Sequence, residues 1–282
     1  MRINSVIGNS QKLDGGAMFG HVPKAMWSKW IQPDEQNRIS LACRALLIQE
    51  GNNNILLETG VGAFFEPSLK ERYGVEESSH VLLASLNKIG VSDADIDFII
   101  LSHLHFDHAG GLLSQWQVGE PSRLLFPNAK YLVSKAGWER ACSPHVRDKA
   151  SFIPSLNKLL ADSERLVIID DEFCNLLGDR YRFTVTNGHT PGLLHTIIES
   201  PEEDPIIFAS DLIPGTPWIH LPVGMGYDRL AELLMDEKKR MLDLAIKRHA
   251  RLFYTHDSAI AMSHIDQDEY GKFKAENVVK DF

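Results

Sequence analysis

Ser102-His103-Leu104-His105-Phe106-Asp107-His108-Ala109-Gly110-Gly111 is the stretch of sequence that decides the fold of this chain. It holds three imidazoles and a carboxylate within six residues, directly after the apolar run 98–101. Neutral imidazole and carboxylate are ligands that zinc and related transition metals take from proteins. Because the chain has only 12 histidines in 282 residues, chance would rarely produce this pattern. The stretch therefore predicts a metal site rather than a polar loop in which histidines happen to cluster.

The composition is that of a globular protein with an acidic balance. The 282 residues are enough for one large domain or two small ones that bury most of their apolar surface. The formal net charge of −9 disfavours nucleic acid as a partner, since nucleic-acid binding needs a basic face. We expect no membrane partner, because no apolar run is long enough to cross a bilayer and the first residues lack the apolar core of a signal peptide.

The three cysteines give no sign of a disulfide framework. They are odd in number, scattered and without CxxC spacing: Cys43, Cys142 and Cys174. This usage predicts ordinary buried thiols in a reduced, cytoplasmic compartment. A cysteine-ligated metal site is not expected, because none of the three lies near the histidine cluster in the sequence.

Short apolar runs alternate with helical patterns along the chain. The runs 45–49 and 55–57 flank a Gly/Asn turn and predict a β-hairpin. Helical spacing predicts helices over 81–89, ending at Gly90, and over 230–245. Further strand-like runs are 98–101, 131–133, 166–169, 181–186, 196–199, 206–209 and 252–254. Strands mixed with helices favour a layered α/β domain.

Residues with metal-ligating side chains repeatedly follow the strand-like runs. Asp107 and His108 follow 98–101, and the others come directly after later runs or close behind them: His189, Asp211 and His256. Groups at strand ends converge on one rim of an α/β sheet, where such sheets place their sites. These residues suffice for two metals, with His103, His105 and His189 on one, and Asp107, His108 and His256 on the other. Asp211 is placed to bridge them.

This ligand series resembles that of the metallo-β-lactamase-fold hydrolases, over residues 46–257. The resemblance implies an αββα sandwich with a dinuclear metal site at one edge and the ligand pairing given above. It also implies a single domain over residues 1–282. Glu58 stands where the family usually has an aspartate that supports the metal ligands, and its side chain is one methylene longer.

Finer similarities point to one subgroup of that family. Gly15 to Gly20, Val22-Pro23-Lys24 and Ser210 to Pro214 are similar to a group that includes quorum-quenching lactonases and methyl-parathion-hydrolase-like enzymes. The resemblance implies hydrolysis of an N-acyl-homoserine lactone or related cyclic ester. In one lactonase type a tyrosine stands at the place of Pro214 and contacts the substrate carbonyl. Here Tyr227 is a candidate substitute, and a packing role is the alternative.

The expected mechanism uses a hydroxide shared by two divalent metal ions and bridged also by Asp211. Zinc is expected first, with iron, manganese or cobalt as alternatives. Asp107 is the resemblance-based candidate for the acid that protonates the leaving alkoxide. Alternative functions are hydrolysis of phosphotriesters (organophosphates) or other carboxylic esters, and, in a different class, a non-catalytic metal-binding or sensory protein.

The N-terminal segment matches neither the helical nor the strand period. We expect about residues 1–40 to form an extension over the active-site side, with 14–27 as a loop that walls a pocket or contacts a second copy in a homodimer. A plainly packed loop is the alternative. Its larger apolar residues are candidates to line an acyl-chain channel, with core or dimer contact as the other interpretation: Met18, Phe19, Met26, Trp27 and Trp30. Three other histidines are candidates to lie near the site, with a structural role as the alternative that is commoner for lone histidines: His195, His220 and His264.

Overall fold

The computed structural model describes residues 1–282, which form fourteen strands and eight α-helices. The strands are β1 (Arg2–Ile7), β2 (Gln11–Asp14), β3 (Arg38–Leu41), β4 (Arg44–Glu50), β5 (Asn53–Leu57), β6 (Phe98–Ile100), β7 (Lys130–Ser134), β8 (Leu166–Ile169), β9 (Tyr181–Thr186), β10 (Leu193–Ile198), β11 (Ile206–Phe208), β12 (Arg251–Phe253), β13 (Met262–Gln267) and β14 (Phe273–Val279). The helices are α1 (Gly15–Phe19), α2 (Lys24–Trp27), α3 (Pro67–Arg72), α4 (Val81–Lys88), α5 (Phe106–Ala109), α6 (Lys135–Cys142), α7 (Pro154–Asp162) and α8 (Ala231–Arg248). None of these helices has the length and apolar character needed to cross a lipid bilayer.

The chain divides into two compact units. The first contains Met1–Lys12, Ala42–Asp170 and Phe282, and the second contains Leu13–Leu41 and Asp171–Asp281. The chain passes from one unit to the other within β2, which forms a two-stranded sheet with β3.

The first unit is built on a six-stranded sheet with the order β1-β4-β5-β6-β7-β8. Pairing is antiparallel from β1 to β5 and parallel from β5 to β8. Parallel neighbours require crossover connections, and α4 supplies one between β5 and β6. Its Leu82 and Leu86 join the core formed by Leu56, Ile99 and other strand residues. The carboxyl ends of β5 and β6 consequently lie at the same edge of the sheet.

The second unit is built on a sheet with the order β14-β13-β12-β11-β10-β9. Only β11 and β12 pair in parallel, and α8 connects them. Leu234, Leu242 and Ala245 of α8 are buried in one core with Leu252 and Tyr254. The helix ends at His249, whose backbone is left-handed with φ 52° and ψ 36°.

Most of the segment 14–27 is helical, so the prediction of a loop there is wrong for most of its length. Residues 15–19 and 24–27 form α1 and α2. Phe19 stacks on Trp27 and Trp218, with ring centroids 5.3 and 4.7 Å apart, and Met18 is also buried. These residues form a core within the second unit rather than the wall of a channel, because none of their side chains is more than 2% exposed. Met26 and Trp30 are exposed.

The hairpin β4–β5, the helices α4 and α8 and all the predicted strands are present, with ends shifted by up to three residues. The sequence analysis missed β1, which pairs with β4 along its whole length, and the hairpin β13–β14. The cysteines are free, as expected. Their expected burial holds for Cys43 and is wrong for Cys142, which is exposed, and for Cys174, which is half-buried.

Candidate metal centre

In the first unit the histidine cluster begins where β6 ends. The chain bends at Ser102, is extended at His105, turns into the single-turn helix α5 and then runs through Gly110 and Gly111. A Cβ on Gly110 would lie 2.3 Å from the carbonyl oxygen of Val61, and one on Gly111 would lie 2.1 Å from that of Thr59. Only glycine allows this approach. It holds the loop that follows β5 against the cluster.

Glu58 lies in that loop and fixes two histidines at once. Its buried carboxylate accepts a hydrogen bond from Ser102 Oγ and another from His108 Nδ1, the latter at 2.9 Å. Since the Ser102 proton is used in this bond, its oxygen accepts from His103 Nδ1 at 2.9 Å. Both imidazoles therefore carry their proton on Nδ1 and present the Nε2 lone pair. Carboxylates placed behind metal-ligating histidines fix tautomer and orientation in this way.

Glu58 adopts a left-handed backbone with φ 62°, which a non-glycine residue rarely does. Strained backbone of this kind clusters at functional sites, where the surrounding structure holds it in place. Its hydrogen bonds to Ser102 and His108 hold the glutamate in this conformation.

The histidine nitrogens in this unit are spaced for a shared ligand. His103 Nε2 lies 3.0 Å from His105 Nδ1, and His108 Nε2 lies 3.8 Å from Asp107 Oδ1. Two ligands of a tetrahedral zinc ion are about 3.3 Å apart when the bonds are about 2.0–2.1 Å long. The three histidines are buried and Asp107 is half-buried. This donor set fits a divalent cation such as zinc.

In the second unit the ligand candidates gather around Asp211. Its Oδ2 lies 3.2 Å from His189 Nε2, and its Oδ1 lies 3.2 Å from His256 Nε2. All three side chains are buried. His189 Nδ1 is in turn hydrogen-bonded to Asp228 Oδ1 at 2.9 Å, and the other oxygen of Asp228 accepts from the Met225 amide. The arrangement repeats that of Glu58 and His108.

Strand ends position these residues as the sequence analysis predicts. Asp211 follows β11 and His256 follows β12, and the two strands are parallel neighbours whose carboxyl ends lie at one edge. His189 lies in the turn between β9 and β10. Ser210, just before Asp211, is left-handed with φ 47°, a second strained position next to a ligand candidate.

The helix α8 holds the His189 turn through two buried charged residues. The Glu237 carboxylate accepts from the backbone amides of Asn187 and Gly188 at 2.9 and 2.8 Å. The Lys238 ammonium donates to the Val223 carbonyl, and burial lowers the pKa of Lys238 to about 8. The two residues fix both segments that carry His189 and its partner Asp228.

Sequence reasoning missed this pair of residues and Asp228. Lys238 falls on the apolar stripe of α8, four residues after Leu234 and three before Met241. A lysine at a core position of an amphipathic helix was the signal that would have revealed it.

Three further candidate residues from the sequence analysis lie in the second unit: His195, His220 and Tyr227. His195 is fully buried with Nε2 on Thr186 Oγ1 at 2.7 Å, and burial lowers its pKa to about 4, which suits a structural imidazole. His220 stacks on Trp30. Tyr227 is 42% exposed and directly precedes Asp228.

Comparison with known proteins identifies the superfamily of this chain. A model of the metallo-beta-lactamase superfamily matches residues 40–256. The chain belongs to this superfamily. An N-acyl homoserine lactonase of a Bacillus species is 25% identical over 240 residues, covering 80% of this chain and 85% of the relative. The Bacillus cereus N-acyl homoserine lactonase is 24% identical over 234 residues, covering 78% and 83%.

Solved structures agree with this assignment. A probable metal-dependent hydrolase from Staphylococcus aureus superposes with a TM-score of 0.85 at 27% identity, over 99% of this chain and 98% of that one. AidC, a dizinc quorum-quenching lactonase, superposes with a TM-score of 0.75 at 24% identity, over 99% and 95%. The expected α/β fold, the family resemblance and the hydrolase class of this metallo-β-lactamase enzyme are confirmed.

Proposed function

We propose that this protein opens lactones, N-acyl-homoserine lactones or related cyclic esters, at a centre of two divalent cations. The observation that carries the proposal is the position of the Asp211 carboxylate. One of its oxygens lies 3.2 Å from the buried His189 imidazole, and the other lies 3.2 Å from the buried His256 imidazole. A carboxylate in this position suits a bridge between two cations, each of which has its own histidine.

The proposed ligand sets are those that the sequence predicts. His103, His105 and His189 would hold one cation, Asp107, His108 and His256 would hold the other, and Asp211 would contribute to both. Carboxylates orient two of these histidines, with Glu58 bonded to His108 Nδ1 and Asp228 bonded to His189 Nδ1. The imidazole and carboxylate donors favour zinc, with iron, manganese and cobalt as alternatives. Two such cations would supply Lewis acidity toward an ester carbonyl and a water nucleophile near neutral pH.

Two residues are proposed to act on the substrate. Asp107 is half-buried in α5. We propose that its carboxylate takes a proton from the attacking water and gives it to the alkoxide that leaves when the ring opens. Tyr227 directly precedes Asp228, the residue that orients His189, and its exposure argues against a packing role. We assign its hydroxyl a hydrogen bond to the substrate carbonyl.

An aromatic cavity in the first unit supports a substrate with an apolar chain. The cavity has a volume of about 360 Å³, and its aromatic lining residues are Phe64, Phe65, Tyr73, Phe106, Trp116 and Phe152. The Phe152 ring meets the His105 imidazole edge-on, with centroids 4.8 Å apart. An acyl chain bound here would lie beside a proposed ligand. This cavity replaces the channel expected along Met18, Phe19 and Trp27.

The deciding experiment is a substrate panel on purified, metal-loaded protein. N-butanoyl-, N-hexanoyl- and N-decanoyl-homoserine lactone, γ-butyrolactone and a phosphotriester are compared by proton release. The proposal predicts the highest kcat/KM for an acyl-homoserine lactone. A higher value for the phosphotriester would make that the function, and inactivity on every compound at full metal occupancy would favour a non-catalytic metal-binding role.

Trp116→Ala tests the aromatic cavity, with Trp30→Ala as the matched control. Both tryptophans are about a third exposed, at 36% and 37%, and lie in different units. We expect Trp116→Ala to lower kcat/KM for the decanoyl substrate about tenfold and to affect the butanoyl substrate little. Trp30→Ala is expected to change neither value. The reverse result would return the acyl chain to the N-terminal segment.

His105→Ala tests the metal assignment itself. We expect this variant to lose at least one of the two cations, measured by elemental analysis, and to lose hydrolysis. Unchanged metal content would contradict the ligand set. The position of residues 1–40 over the active-site side, a homodimer through that segment, a quorum-quenching role and a cytoplasmic location stay predictions.

A further inference from the structure

A second group of metal-ligating side chains lies at the opposite edge of the second unit's sheet. Asp204 precedes β11, His249 lies between α8 and β12, and His264 lies on β13 opposite Arg251, the first residue of β12. Asp211 and His256 follow the carboxyl ends of β11 and β12, whereas this group surrounds their amino ends. It belongs to neither ligand set proposed above.

The three side chains already have the separations of a small metal site. Asp204 Oδ2 lies 3.0 Å from His264 Nε2 and 3.8 Å from His249 Nε2, and all three ligand atoms lie within 4.8 Å of one another. Ligands of a tetrahedral zinc ion are about 3.3 Å apart. His249 is 73% exposed, so its ring is able to adjust when a cation binds.

The individual imidazoles support this use. His264 Nε2 faces Asp204 at hydrogen-bond distance, whereas its Nδ1 is buried and has no hydrogen-bond partner. The His249 ring stacks on the His264 ring with centroids 4.6 Å apart. His249 also occupies a left-handed position after a helix, where glycine fits without strain. The strained backbone brings a second imidazole to the carboxylate.

The surrounding charges favour a cation. Glu202, Glu203 and Asp204 are consecutive, and they line a surface depression together with Arg251 and His264. The Arg251 guanidinium bonds to Glu203 Oε2 and to the backbone oxygen of Asp204, both at 2.9 Å. Because these bonds use other oxygens, the Asp204 side chain faces the imidazoles.

We propose that Asp204, His249 and His264 form a peripheral site for one cation of the zinc type, with water as the remaining ligand. Two imidazoles and one carboxylate select Zn²⁺, Ni²⁺ or Cu²⁺ over Mg²⁺ and Ca²⁺, which prefer oxygen ligands. A cation here joins the start of β11, the end of α8 and β13. The site is independent of the proposed hydrolytic function.

Calorimetric titration with Zn²⁺ tests the site on whole protein that has first been saturated with zinc and desalted. We expect one further equivalent to bind at pH 7.5, and Asp204→Asn and His249→Ala each to weaken that binding at least tenfold. His145→Ala, which removes an exposed histidine of the first unit, is the control and keeps the equivalent. Mg²⁺ is expected to give no heat.

Two readouts separate this site from the hydrolytic centre. Elemental analysis of the desalted protein and lactone hydrolysis are expected to be unchanged in Asp204→Asn and His249→Ala. Absence of a further equivalent in the unaltered protein would overturn the proposal, as would an equivalent that survives both substitutions. In the first case the group is an ion pair of Asp204 and His264. Lack of lactone hydrolysis would contradict only the proposed function, because the titration does not depend on activity.

Discussion

Each of two opposite edges of the second unit's sheet has an aspartate that lies between two histidines, but the two groups differ in their burial. At the carboxyl ends of β11 and β12, one aspartate lies between His189 and His256, and all three side chains are buried. At the amino ends, Asp204 lies between two histidines, one of which is 73% exposed. Residue identity alone therefore does not distinguish a buried metal centre from a peripheral one.

The difference lies in what holds the second nitrogen of each imidazole. His189 Nδ1 is fixed by Asp228, which is itself anchored by a backbone amide. His264 Nδ1 has no hydrogen-bond partner. Supporting hydrogen bonds of this kind are typically worth 10–100-fold in metal affinity. We therefore expect the first edge to retain its cation through purification and the second to bind one only when it is supplied.

Asp211→Asn compared with Asp204→Asn gives the largest expected difference between the edges. Asp211→Asn removes the bridging charge, and we expect kcat/KM for an acyl-homoserine lactone to fall at least about 10³-fold, since metal assistance is worth several kcal/mol. Asp204→Asn is expected to leave kcat/KM unchanged. Equal losses in the two variants would remove the functional distinction between the edges.

His195 provides a buried histidine with no metal role, against which both edges can be compared. Burial lowers its pKa to about 4 in the folded state, below the value of 6.5 of an unperturbed histidine. The unfolded chain therefore binds the proton first as the pH falls. The stability that the neutral ring contributes is complete above pH 6.5 and is lost between pH 6.5 and about 4. The loss amounts to about 3 kcal/mol.

Urea denaturation between pH 4 and 7 measures this dependence. We expect His195→Gln to show a shallower fall in the free energy of unfolding over this range than the unaltered protein. His145→Gln, at an exposed position, is expected to follow the unaltered protein. Parallel curves for His195→Gln and the unaltered protein would show that the imidazole is not held neutral by burial.

Glu237→Gln tests the buried edge alone, because Glu237 holds the turn that contains His189. A glutamine accepts a hydrogen bond from one of the two amides, Asn187 or Gly188, and turns its own amide group toward the other. We expect a loss of about 1–3 kcal/mol in the free energy of unfolding, because a buried donor is left unsatisfied. We also expect roughly a tenfold lower kcat/KM, through a displaced His189.

Glu232→Gln on the exposed face of the same helix is the control for this substitution. It is expected to change neither quantity. A full effect of Glu237→Gln on stability without any effect on kcat/KM would mean that the His189 turn keeps its place without the clamp.

The sequence predicted the ligand candidates because their positions follow from local rules. Asp107 and His108 are covalent neighbours, and Asp211 and His256 come soon after strands that the apolar runs reveal. Side chains at the ends of parallel neighbours share an edge, so their convergence needed no knowledge of packing. Glu58 likewise comes directly after β5.

The residues that form hydrogen bonds to these ligand candidates could not be predicted from local sequence rules. Asp228 and Glu237 reach the His189 turn from distant parts of the sequence, and their burial depends on tertiary packing. Similarly, β13 and β14 carry several polar residues, and neither shows a regular alternation of buried and exposed positions that would mark a strand. The stacking of Phe19 on Trp218 depends on residues about 200 positions apart.

His249→Gly is the smallest expected effect and concerns the exposed edge alone. The left-handed backbone at this position costs a histidine energy that glycine does not lose. We expect glycine to raise the free energy of unfolding by about 0.5–1 kcal/mol, seen as an increase of roughly 1–4 °C in Tm in metal-free buffer. With Zn²⁺ in excess the unaltered protein is expected to recover the difference, because it binds a cation that the variant cannot hold. A variant that is less stable than the unaltered protein in metal-free buffer would mean that His249 contributes contacts that outweigh its backbone strain, and that its position needs no cation to explain it.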